Sequence, residues 1–232
     1  MKGLFVTGTD TDCGKTVVAC ALARGLRARG FRVAPFKPVA AGARRTAAGL
    51  RNADAEALID ACGGGWDYAR VNPLCFEPPV SPHLAAAEAG VVVSLPPLLA
   101  AARELAGEAD LLLAEGAGGW LVPLGPGMDI ADLAVALGLP VVLVVGLRLG
   151  CINHARLSAR ALQASGLPLA GWIGSVLDPQ MARLEENIAT LEERLPLPAL
   201  GGLPHGADAA AADAALDWER LLAGLDAAGG TV

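Results

Sequence analysis

The most constraining feature of this sequence is a glycine-rich segment, Gly8–Thr16 (GTDTDCGKT), near the start of a chain of 232 residues. The apolar, β-prone run Gly3–Gly8 precedes it, and a run with Val18, Leu22 and Leu26 at helical spacing follows it. A strand, a glycine-rich loop and a helix in this order are typical of a phosphate-binding loop, in which backbone N–H groups and the helix N-terminus bind a nucleoside triphosphate. The spacing Gly-x₅-Gly-Lys-Thr is one residue longer than the usual form.

Two residues of this loop have the chemistry that phosphate binding needs. Lys15 is expected to contact the β- and γ-phosphates, and the Thr16 hydroxyl is expected to ligate Mg²⁺. Only three of the 18 basic residues are lysines, which supports a specific use of a compact charge at Lys15 and Lys37. Two acidic residues, Asp10 and Asp12, are unexpected beside phosphates, and we expect a metal ion or an amine-bearing substrate to neutralise them.

The rest of the chain alternates short apolar runs with amphipathic runs. The predicted strands are Gly3–Gly8, Arg32–Lys37, Leu111–Ala114, Val141–Val145, Leu169–Leu177 and Leu200–Leu203. The predicted helices are Lys15–Arg29, Asp54–Cys62, Pro97–Gly107, Asp129–Leu137, Ile152–Ser165, Gln180–Leu195 and a terminal helix around Trp218, Leu221 and Leu222, with a proline-rich loop at Val71–Pro82. Continuous apolar strands between helices indicate a P-loop NTPase-like α/β fold, a mostly parallel central sheet with helices on both faces, in a single domain spanning residues 1–232.

Composition and charge argue against several functional classes. A net charge of −6 without a basic stripe argues against nucleic acid as a partner. No apolar run reaches the roughly 18 residues of a membrane helix, and the N-terminus does not resemble a signal peptide, so we expect no membrane partner and a cytoplasmic location. Five cysteines, an odd number with no C-x-x-C pair, make disulfides and structural zinc unexpected.

Two charged residues at strand ends are candidates for the same site. Lys37 ends the second predicted strand, and a strand adjacent to the first one would bring it near the γ-phosphate, because the C-terminal ends of parallel strands line the ligand crevice. The alternative is a solvated lysine at a strand end. Glu115 follows an apolar run and precedes Gly116–Gly119, which is the usual place for a second ligand on the Mg²⁺ side of a P-loop protein.

A further candidate is the segment Gly150–His154, which follows the strand Val141–Val145 and begins a helix. The N-terminus of such a helix can bind a carboxylate. The alternative is an ordinary turn between a strand and a helix. No Ser, Cys or His arrangement suggests a nucleophilic triad, since His83 and His205 lie in predicted loops.

Together these motifs resemble the dethiobiotin synthetases, the ATP-dependent ring-closing enzymes of biotin synthesis. The matching stretches cover nearly the whole chain: Val6–Thr16, Lys37–Gly42, Leu50–Asp54, Val71–Pro73, Ser81–His83, Glu115–Trp120, Val144–Gly146, Leu149–His154 and Leu169–Trp172. The resemblance implies that CO₂ carboxylates 7,8-diaminopelargonate to a carbamate, which ATP or another nucleoside triphosphate phosphorylates before the second amine closes a cyclic urea. It also implies a homodimer with the substrate at the interface.

The resemblance assigns roles to individual residues. It implies Mg²⁺ ligation by Thr16, Asp54 and Glu115. It implies that Lys15 and Lys37 stabilise the carbamate and the transferring phosphoryl group, with Thr11 and Asp12 beside the diamine and the γ-phosphate. The implied nucleotide contacts are Asp12, Cys13, Gly14, Lys15, Thr16, Val17, Glu115, Gly116, Ala117, Gly118, Ser175, Pro204, His205 and Gly206. The implied substrate contacts are Thr11, Lys37, Ala41 and, from the neighbouring subunit, Gly150, Cys151 and Asn153.

Three positions depart from the family pattern. Ala41 replaces a serine on the carbamate side, so one hydrogen bond is lost or supplied by water. Ser175 replaces the asparagine that reads the adenine edge, and a single hydroxyl discriminates less than a bidentate amide, which predicts a relaxed nucleotide preference. Asn187 stands where some members have a tyrosine near the substrate carboxylate.

Two other functions can use the same loop. One is a P-loop ATPase switch that regulates a partner protein, although the segment Gly174–Asp178 is not a guanine-reading Asn-Lys-x-Asp motif and a switch has no evident need for Lys37. The other is a small-molecule kinase, which would release a phosphorylated product rather than free phosphate. A requirement for a small molecule in nucleotide turnover separates the switch from the ligase.

Overall fold

The computed structural model describes residues 1–229, and side chains as far as Leu225. The strands are β1 (Gly3–Gly8), β2 (Val33–Phe36), β3 (Val39–Ala40), β4 (Arg44–Thr46), β5 (Gly49–Arg51), β6 (Leu74–Cys75), β7 (Leu111–Glu115), β8 (Pro123–Gly125), β9 (Met128–Asp129), β10 (Val141–Leu147), β11 (Leu169–Val176) and β12 (Ala199–Leu203). The helices are α1 (Lys15–Ala28), α2 (Ala53–Ala61), α3 (Tyr68–Val71), α4 (Pro82–Glu88), α5 (Leu95–Ala106), α6 (Ile130–Leu137), α7 (Cys151–Ala164), α8 (Leu184–Arg194), α9 (Ala209–Ala214) and α10 (Trp218–Gly229).

The central sheet has six parallel strands in the order β12-β11-β10-β1-β7-β2. The strand that leads into the glycine-rich loop is therefore in the interior of the sheet, between β7 and β10. Three small ribbons, β3 with β6, β4 with β5, and β8 with β9, lie outside this sheet. The predicted P-loop NTPase-like fold with a mostly parallel sheet is confirmed.

Two apolar layers cover the two faces of the sheet. In β1, Leu4 and Val6 belong to the same apolar layer as Leu22 of α1, whereas Phe5 belongs with Leu98 of α5 to the layer on the other face. Successive side chains of a strand point to opposite faces, so both faces of β1 are buried. This burial explains why the strands are apolar throughout instead of alternating with polar residues.

The predicted elements are found with small shifts at their ends, and two predictions need correction. The segment Val71–Pro82, predicted to be loop, contains the short strand β6 and meets helices at both of its ends. The helix predicted from Gln180 begins only at Leu184. Its start is delayed because Asp178 accepts a hydrogen bond from the Gln180 N–H and because Arg183 has a left-handed backbone (φ 59°).

Within residues 1–229, no helix combines the length and the apolar character that a membrane crossing requires. All five cysteines, which belong to this described part of the chain, are free thiols, and four of them are buried.

We predict opposite effects of alanine at two glycines. Alanine normally stabilises a helix relative to glycine by about 1 kcal/mol. At Gly25 in α1, however, a Cβ would lie 2.0 Å from the Trp218 ring, so Gly25→Ala is expected to lower the free energy of unfolding by about 1–3 kcal/mol. At Gly107 (φ −68°) the nearest atom is 3.4 Å away, and Gly107→Ala is expected to raise it by about 0.4–1 kcal/mol.

Urea unfolding of both variants and the parent protein checks this pair. An equal or higher stability of Gly25→Ala would contradict the close packing of α10 against α1.

Candidate active site

A cleft of about 910 Å³ opens where the sheet strands end. Its walls come from the segments that follow β1, β2, β7, β11 and β12, which are the C-terminal ends of parallel strands. The lining residues are Thr11, Asp12, Gly14, Lys15, Thr16, Val17, Lys37, Ala40, Ala41, Asn52, Asp54, Pro79, Val80, Ser81, Pro82, Ala117, Gly118, Val122, Ser175, Val176, Leu177, Pro204, His205 and Gly206.

The glycine-rich loop folds tightly between β1 and α1. A Cβ at Gly8 would lie 2.3 Å from Cys13 Sγ, and a Cβ at Gly14, which has φ +91°, would lie 2.2 Å from Ser175 Oγ. Both positions therefore require glycine. The side chain of Cys13 turns into the core beside the carbonyl of Val144, so the longer loop buries a residue beneath itself.

The acidic residues of the loop are only partly explained by their surroundings. Asp10 forms an ion pair with Arg148 and accepts a hydrogen bond from the Thr11 N–H at 2.8 Å. A cation of the chain itself therefore faces Asp10, and the expectation that a metal ion or substrate amine must neutralise it is not needed. Asp12, with a left-handed backbone (φ 54°), is exposed at the cleft.

Lys15 lies inside the loop at the start of α1. Its Nζ donates a hydrogen bond to the main-chain oxygen of Asp10 at 2.7 Å, and its side chain is buried. The ammonium is thus held on the cleft side of the loop, next to the backbone that would surround phosphate groups. This location is consistent with the predicted contact between Lys15 and the phosphates.

Glu115 is the most buried acidic residue at the site. It ends β7 with an exposure of 0%, and its Oε1 accepts hydrogen bonds from Thr16 Oγ1 at 2.8 Å and from Lys37 Nζ at 2.6 Å. Its Oε2 is buried and has no hydrogen-bond partner within residues 1–229. A buried carboxylate oxygen without a partner is costly, which makes a cationic ligand at this oxygen chemically reasonable.

Lys37 follows β2 and reaches across to the end of β7. It is 3% exposed, and its Nζ lies 3.1 Å from the carbonyl oxygen of Gly116 and 3.3 Å from Asp54 Oδ2, in addition to its bond to Glu115. The alternative of a solvated lysine is wrong. Its strand is not adjacent to β1, because β7 lies between them, and Lys37 reaches the site through its contacts with Glu115 and Gly116 at the end of β7.

The charge of Lys37 is stabilised by its two carboxylate neighbours. Burial, the largest single influence, lowers the pKa of the ammonium, but the charges of Glu115 and Asp54 and the hydrogen bonds to them together raise the pKa above its ordinary value. Lys37 is therefore a cation throughout the neutral pH range.

Asp54 is positioned by the start of α2. Asn52 is the N-cap of this helix, and its Oδ1 accepts hydrogen bonds from the N–H groups of Asp54 at 3.1 Å and Ala55 at 3.3 Å. Asn52 Nδ2 also donates to the Ala41 carbonyl at 3.2 Å. The Asp54 side chain is 46% exposed, so its location depends on the helix end more than on packing around the carboxylate.

The structure brings most of the predicted site residues together. Twelve of the predicted nucleotide and substrate contacts besides Lys37, Ala41 and Asp54 line the cleft: Thr11, Asp12, Gly14, Lys15, Thr16, Val17, Ala117, Gly118, Ser175, Pro204, His205 and Gly206. Three more are buried beneath it: Cys13, Glu115 and Gly116. The exceptions, which are not among the lining residues, are Gly150, Cys151 and Asn153 at the N-terminal end of α7, and Asn187 in α8, whose side chain donates to the Arg183 carbonyl.

Several residues near the site were not predicted to have a role. Asn52 and Asn72 lie in stretches that match the family pattern, and an asparagine two residues before Asp54 is a recognisable N-cap signal. Asn72 donates a hydrogen bond to the Lys37 carbonyl at 2.6 Å, for which the local sequence gives no signal. Ser81, which lines the cleft, pairs with His83 Nδ1 at 3.0 Å.

Known proteins are similar in sequence to this chain over nearly its full length. A family model described as an AAA domain matches residues 2–212. The ATP-dependent dethiobiotin synthetase BioD of Pseudomonas paraeruginosa (strain DSM 24068 / PA7) is 56% identical over 228 residues, which are 97% of this chain and 100% of that protein. The protein of the same name from Xanthomonas euvesicatoria pv. vesicatoria (strain 85-10) is 52% identical, covering 89% of this chain and 93% of the relative.

Solved structures share the fold at much lower identity. A chain of the MinC:MinD cell division protein complex of Aquifex aeolicus has a TM-score of 0.58 and 14% identity, with coverage of 100% of this chain and 98% of that one. At this identity the likeness concerns the fold alone.

We predict that Lys37 and Glu115 depend on each other for stability. Lys37→Met leaves a buried carboxylate without its cation, and the free energy of unfolding is expected to fall by about 3–5 kcal/mol. Lys37→Met/Glu115→Gln removes both charges and is expected to recover most of that loss. Because the pKa of Lys37 is raised, the contribution of the pair is fully present at neutral pH and is lost only as the pH rises above the ordinary lysine range.

Urea unfolding at neutral pH without nucleotide or metal measures these free energies. The matched control is Arg103→Met, which removes an exposed cation from α5 and is expected to change stability by less than about 0.5 kcal/mol. Equal stability of the two Lys37 variants would show that the pair is not coupled.

Proposed function

The chain belongs to the dethiobiotin synthetase family, and we propose that it is an ATP-dependent cyclo-ligase that forms dethiobiotin from 7,8-diaminopelargonate and CO₂. The observation that carries this proposal is the buried Lys37 ammonium, held beside the phosphate-binding loop by Glu115 and Asp54. A nucleotide switch has no evident need for such a cation, whereas a reaction that builds negative charge next to a phosphoryl group does.

The proposed reaction has three bond-forming steps. One amine of 7,8-diaminopelargonate attacks CO₂, which bicarbonate supplies in solution, to give a carbamate. A carbamate oxygen attacks the γ-phosphorus of ATP and displaces ADP, giving a carbamic-phosphoric anhydride. The second amine attacks the carbamate carbon and displaces phosphate, which closes the cyclic urea.

The charged residues of the cleft match the charges of these species. Lys15 and Lys37 would stabilise the carbamate and the transferring phosphoryl group, and the presence of both lysines among the lining residues of the cleft supports this. Asp12, exposed at the same cleft, would attract the amines of the substrate, and Thr11 offers a hydroxyl beside it. These roles for Thr11 and Asp12 are part of the proposal.

The residues present fit Mg²⁺. Glu115 Oε2 is a buried oxygen without a partner in the described chain, and Thr16 and Asp54 present a hydroxyl and a second carboxylate to the same cleft. Mg²⁺ binds through one or two carboxylates and completes its shell with water and substrate phosphates. We assign Thr16, Asp54 and Glu115 as its ligands, and the bound ion would neutralise charge on the β- and γ-phosphates.

We also propose a homodimer in which each subunit completes the site of the other. Gly150, Cys151 and Asn153 are not among the residues that line the cleft of their own chain, and Asn153 is exposed at the N-terminus of α7. The neighbouring Leu149 is 92% exposed, an apolar side chain that a partner subunit would cover. Such a helix N-terminus would bind the substrate carboxylate.

The nucleotide specificity is proposed to be relaxed. Ser175, at the end of β11, lies against Gly14 and offers the base a single hydroxyl. The loop of Pro204, His205 and Gly206 lines the same cleft, and His205 Nδ1 lies 3.2 Å from the Val176 carbonyl. A lone hydroxyl can both donate and accept a hydrogen bond, so it discriminates weakly between bases.

The requirement for both substrates tests the proposed reaction. Phosphate release from ATP and Mg²⁺ is expected to require both 7,8-diaminopelargonate and bicarbonate, with a cyclic urea detected by mass spectrometry. Lys37→Gln is expected to lower kcat by about 10²–10³-fold and to leave the KM for ATP nearly unchanged, because the positive charge beside the reacting groups is removed. Arg103→Gln, which removes an exposed charge, is the matched control.

Other outcomes would identify other functions. Phosphate release that is indifferent to both compounds would indicate a nucleotide switch, and a phosphorylated small molecule as the product would indicate a kinase. Parent-like turnover of Lys37→Gln would remove Lys37 from the mechanism.

The relative kcat/KM values for different nucleotides test the proposed base specificity. The kcat/KM values for ATP, CTP and GTP are expected to lie within about tenfold of one another, since one shared hydroxyl contributes little discrimination. Ser175→Asn is expected to raise the preference for ATP by about tenfold, which corresponds to one neutral hydrogen bond. Ser175→Ala is the control and is expected to leave the ratios nearly unchanged, so a strong ATP bias in the parent would contradict this assignment.

A further inference from the structure

A hydrogen-bond network beside the cleft meets at the single tyrosine of the chain, Tyr68. Tyr68 is the first residue of α3, is not among the residues that line the cleft, and is half-buried. Its hydroxyl contacts two asparagines from different segments, Asn52 and Asn72. Each of these asparagines is buried and is bonded in turn to a segment that carries a charged residue of the site.

The first arm of the network leads to Asp54. The Asn52 N–H donates to the Tyr68 hydroxyl at 2.7 Å, and the Asn52 side chain caps α2 through the N–H groups of Asp54 and Ala55. The Asp54 carboxylate is itself half-exposed and little packed. Its position is therefore set by where α2 begins, and the Tyr68 hydroxyl fixes the residue at which it begins.

The second arm leads to Lys37. Asn72 Nδ2 donates to the Lys37 carbonyl at 2.6 Å and to the Leu74 carbonyl at 3.3 Å. Since both amide hydrogens are used, Asn72 Oδ1 must accept, and the Tyr68 hydroxyl donates to it at 3.0 Å. The Lys37 N–H donates to the carbonyl of Val71, the last residue of α3, so Val71 and the C-cap residue Asn72 together hold the Lys37 backbone.

The hydroxyl of Tyr68 thus takes part in both arms. It accepts from one asparagine and donates to the other, and its remaining lone pair faces Cys75 Sγ at 3.4 Å. The ring is held separately, by the Arg51 guanidinium, whose central carbon lies 4.1 Å from the ring centroid. Removal of one oxygen atom would unpair both arms and leave the ring packing intact.

We propose that Tyr68 is a positioning residue that fixes the distance between Asp54 and Lys37, and with it the metal affinity and the rate of the phosphoryl-transfer site. This role rests on the proposed function of the same site. Tyr68 itself touches no reacting group. Its effect passes through the start of α2 on one side and through the Lys37 backbone on the other.

The test is Tyr68→Phe, measured in the full-length protein. Changes in groups that orient metal ligands typically lower metal affinity or activity by about 10–100-fold, and we expect kcat to fall by about tenfold and the half-saturating Mg²⁺ concentration to rise by about tenfold. The KM for ATP at saturating Mg²⁺ is expected to change less than about twofold, because within residues 1–229 no hydrogen bond joins the glycine-rich loop directly to Tyr68, Asn52 or Asn72. Cys75→Ala is the matched control, since it removes the third neighbour of the hydroxyl and leaves both arms.

A second variant separates the two arms. Asn72→Ala cuts only the arm to Lys37, so it is expected to lower kcat while the Mg²⁺ midpoint stays within about twofold of the parent. If Tyr68→Phe leaves the Mg²⁺ midpoint unchanged, the proposal is wrong. If kcat and the melting temperature fall and the KM for ATP rises together, the residue has only a structural role and the proposal is also wrong.

A measurement without turnover separates this proposal from the proposed function. The Mg²⁺ dependence of ATP binding, measured by calorimetry on parent and Tyr68→Phe, reports the Asp54 arm even if no ring closure occurs. A parent that binds Mg²⁺ and ATP but forms no cyclic urea would overturn the proposed function. A Tyr68→Phe midpoint equal to that of a catalytically competent parent would overturn the role of Tyr68.

Discussion

The buried ion pair between Lys37 and Glu115 is the interaction on which the site depends. Its two atoms, Nζ and Oε1, are 2.6 Å apart in side chains that are almost wholly removed from water. Buried charges are tolerated only when they are paired and hydrogen-bonded, so the two strand ends that carry them are held in one arrangement. Because Glu115 also accepts from Thr16, the pair connects β2 and β7 to the start of α1. The phosphate loop, the cation and the carboxylate are therefore parts of one unit.

The groups that would react are placed by side chains that are not themselves assigned to react. Asn52 sets the start of α2 and hence Asp54, Asn72 holds the Lys37 backbone, and Tyr68 bonds to both asparagines. On the other wall, Ser175 lies so near Gly14 that only glycine fits there. Catalysis by fixed charges needs such support, because a preorganised site does not have to reorganise as charge develops in the transition state.

Local patterns in the chain predicted the elements well where a single signal dominated. The glycine-rich loop, the strand Gly3–Gly8 and the helix from Lys15 were predicted and are confirmed, because turn glycines and helical spacing act within a few residues. The order of the strands was not predictable in this way. A strand beside β1 would have brought Lys37 near the phosphate loop, yet β7 lies between the two strands. Parallel strands are joined by long crossover connections, so the neighbour of a strand depends on contacts between distant parts of the chain. The late start of α8 depends on the left-handed backbone of Arg183, which no apolar pattern reveals.

The sequence by itself determined the fold class, the phosphate loop and the kind of residues at the site, because these depend on local periodicity and on motifs of fixed spacing. It also determined the family, through motifs spread over nearly the whole chain. Only the tertiary structure decided that Lys37 is buried against Glu115 and that Arg148 faces Asp10. It alone revealed that Tyr68 connects Asn52 to Asn72. These contacts join residues that are far apart in the chain or lie in irregular segments, and their energies arise from burial and geometry, which exist only after the chain has folded.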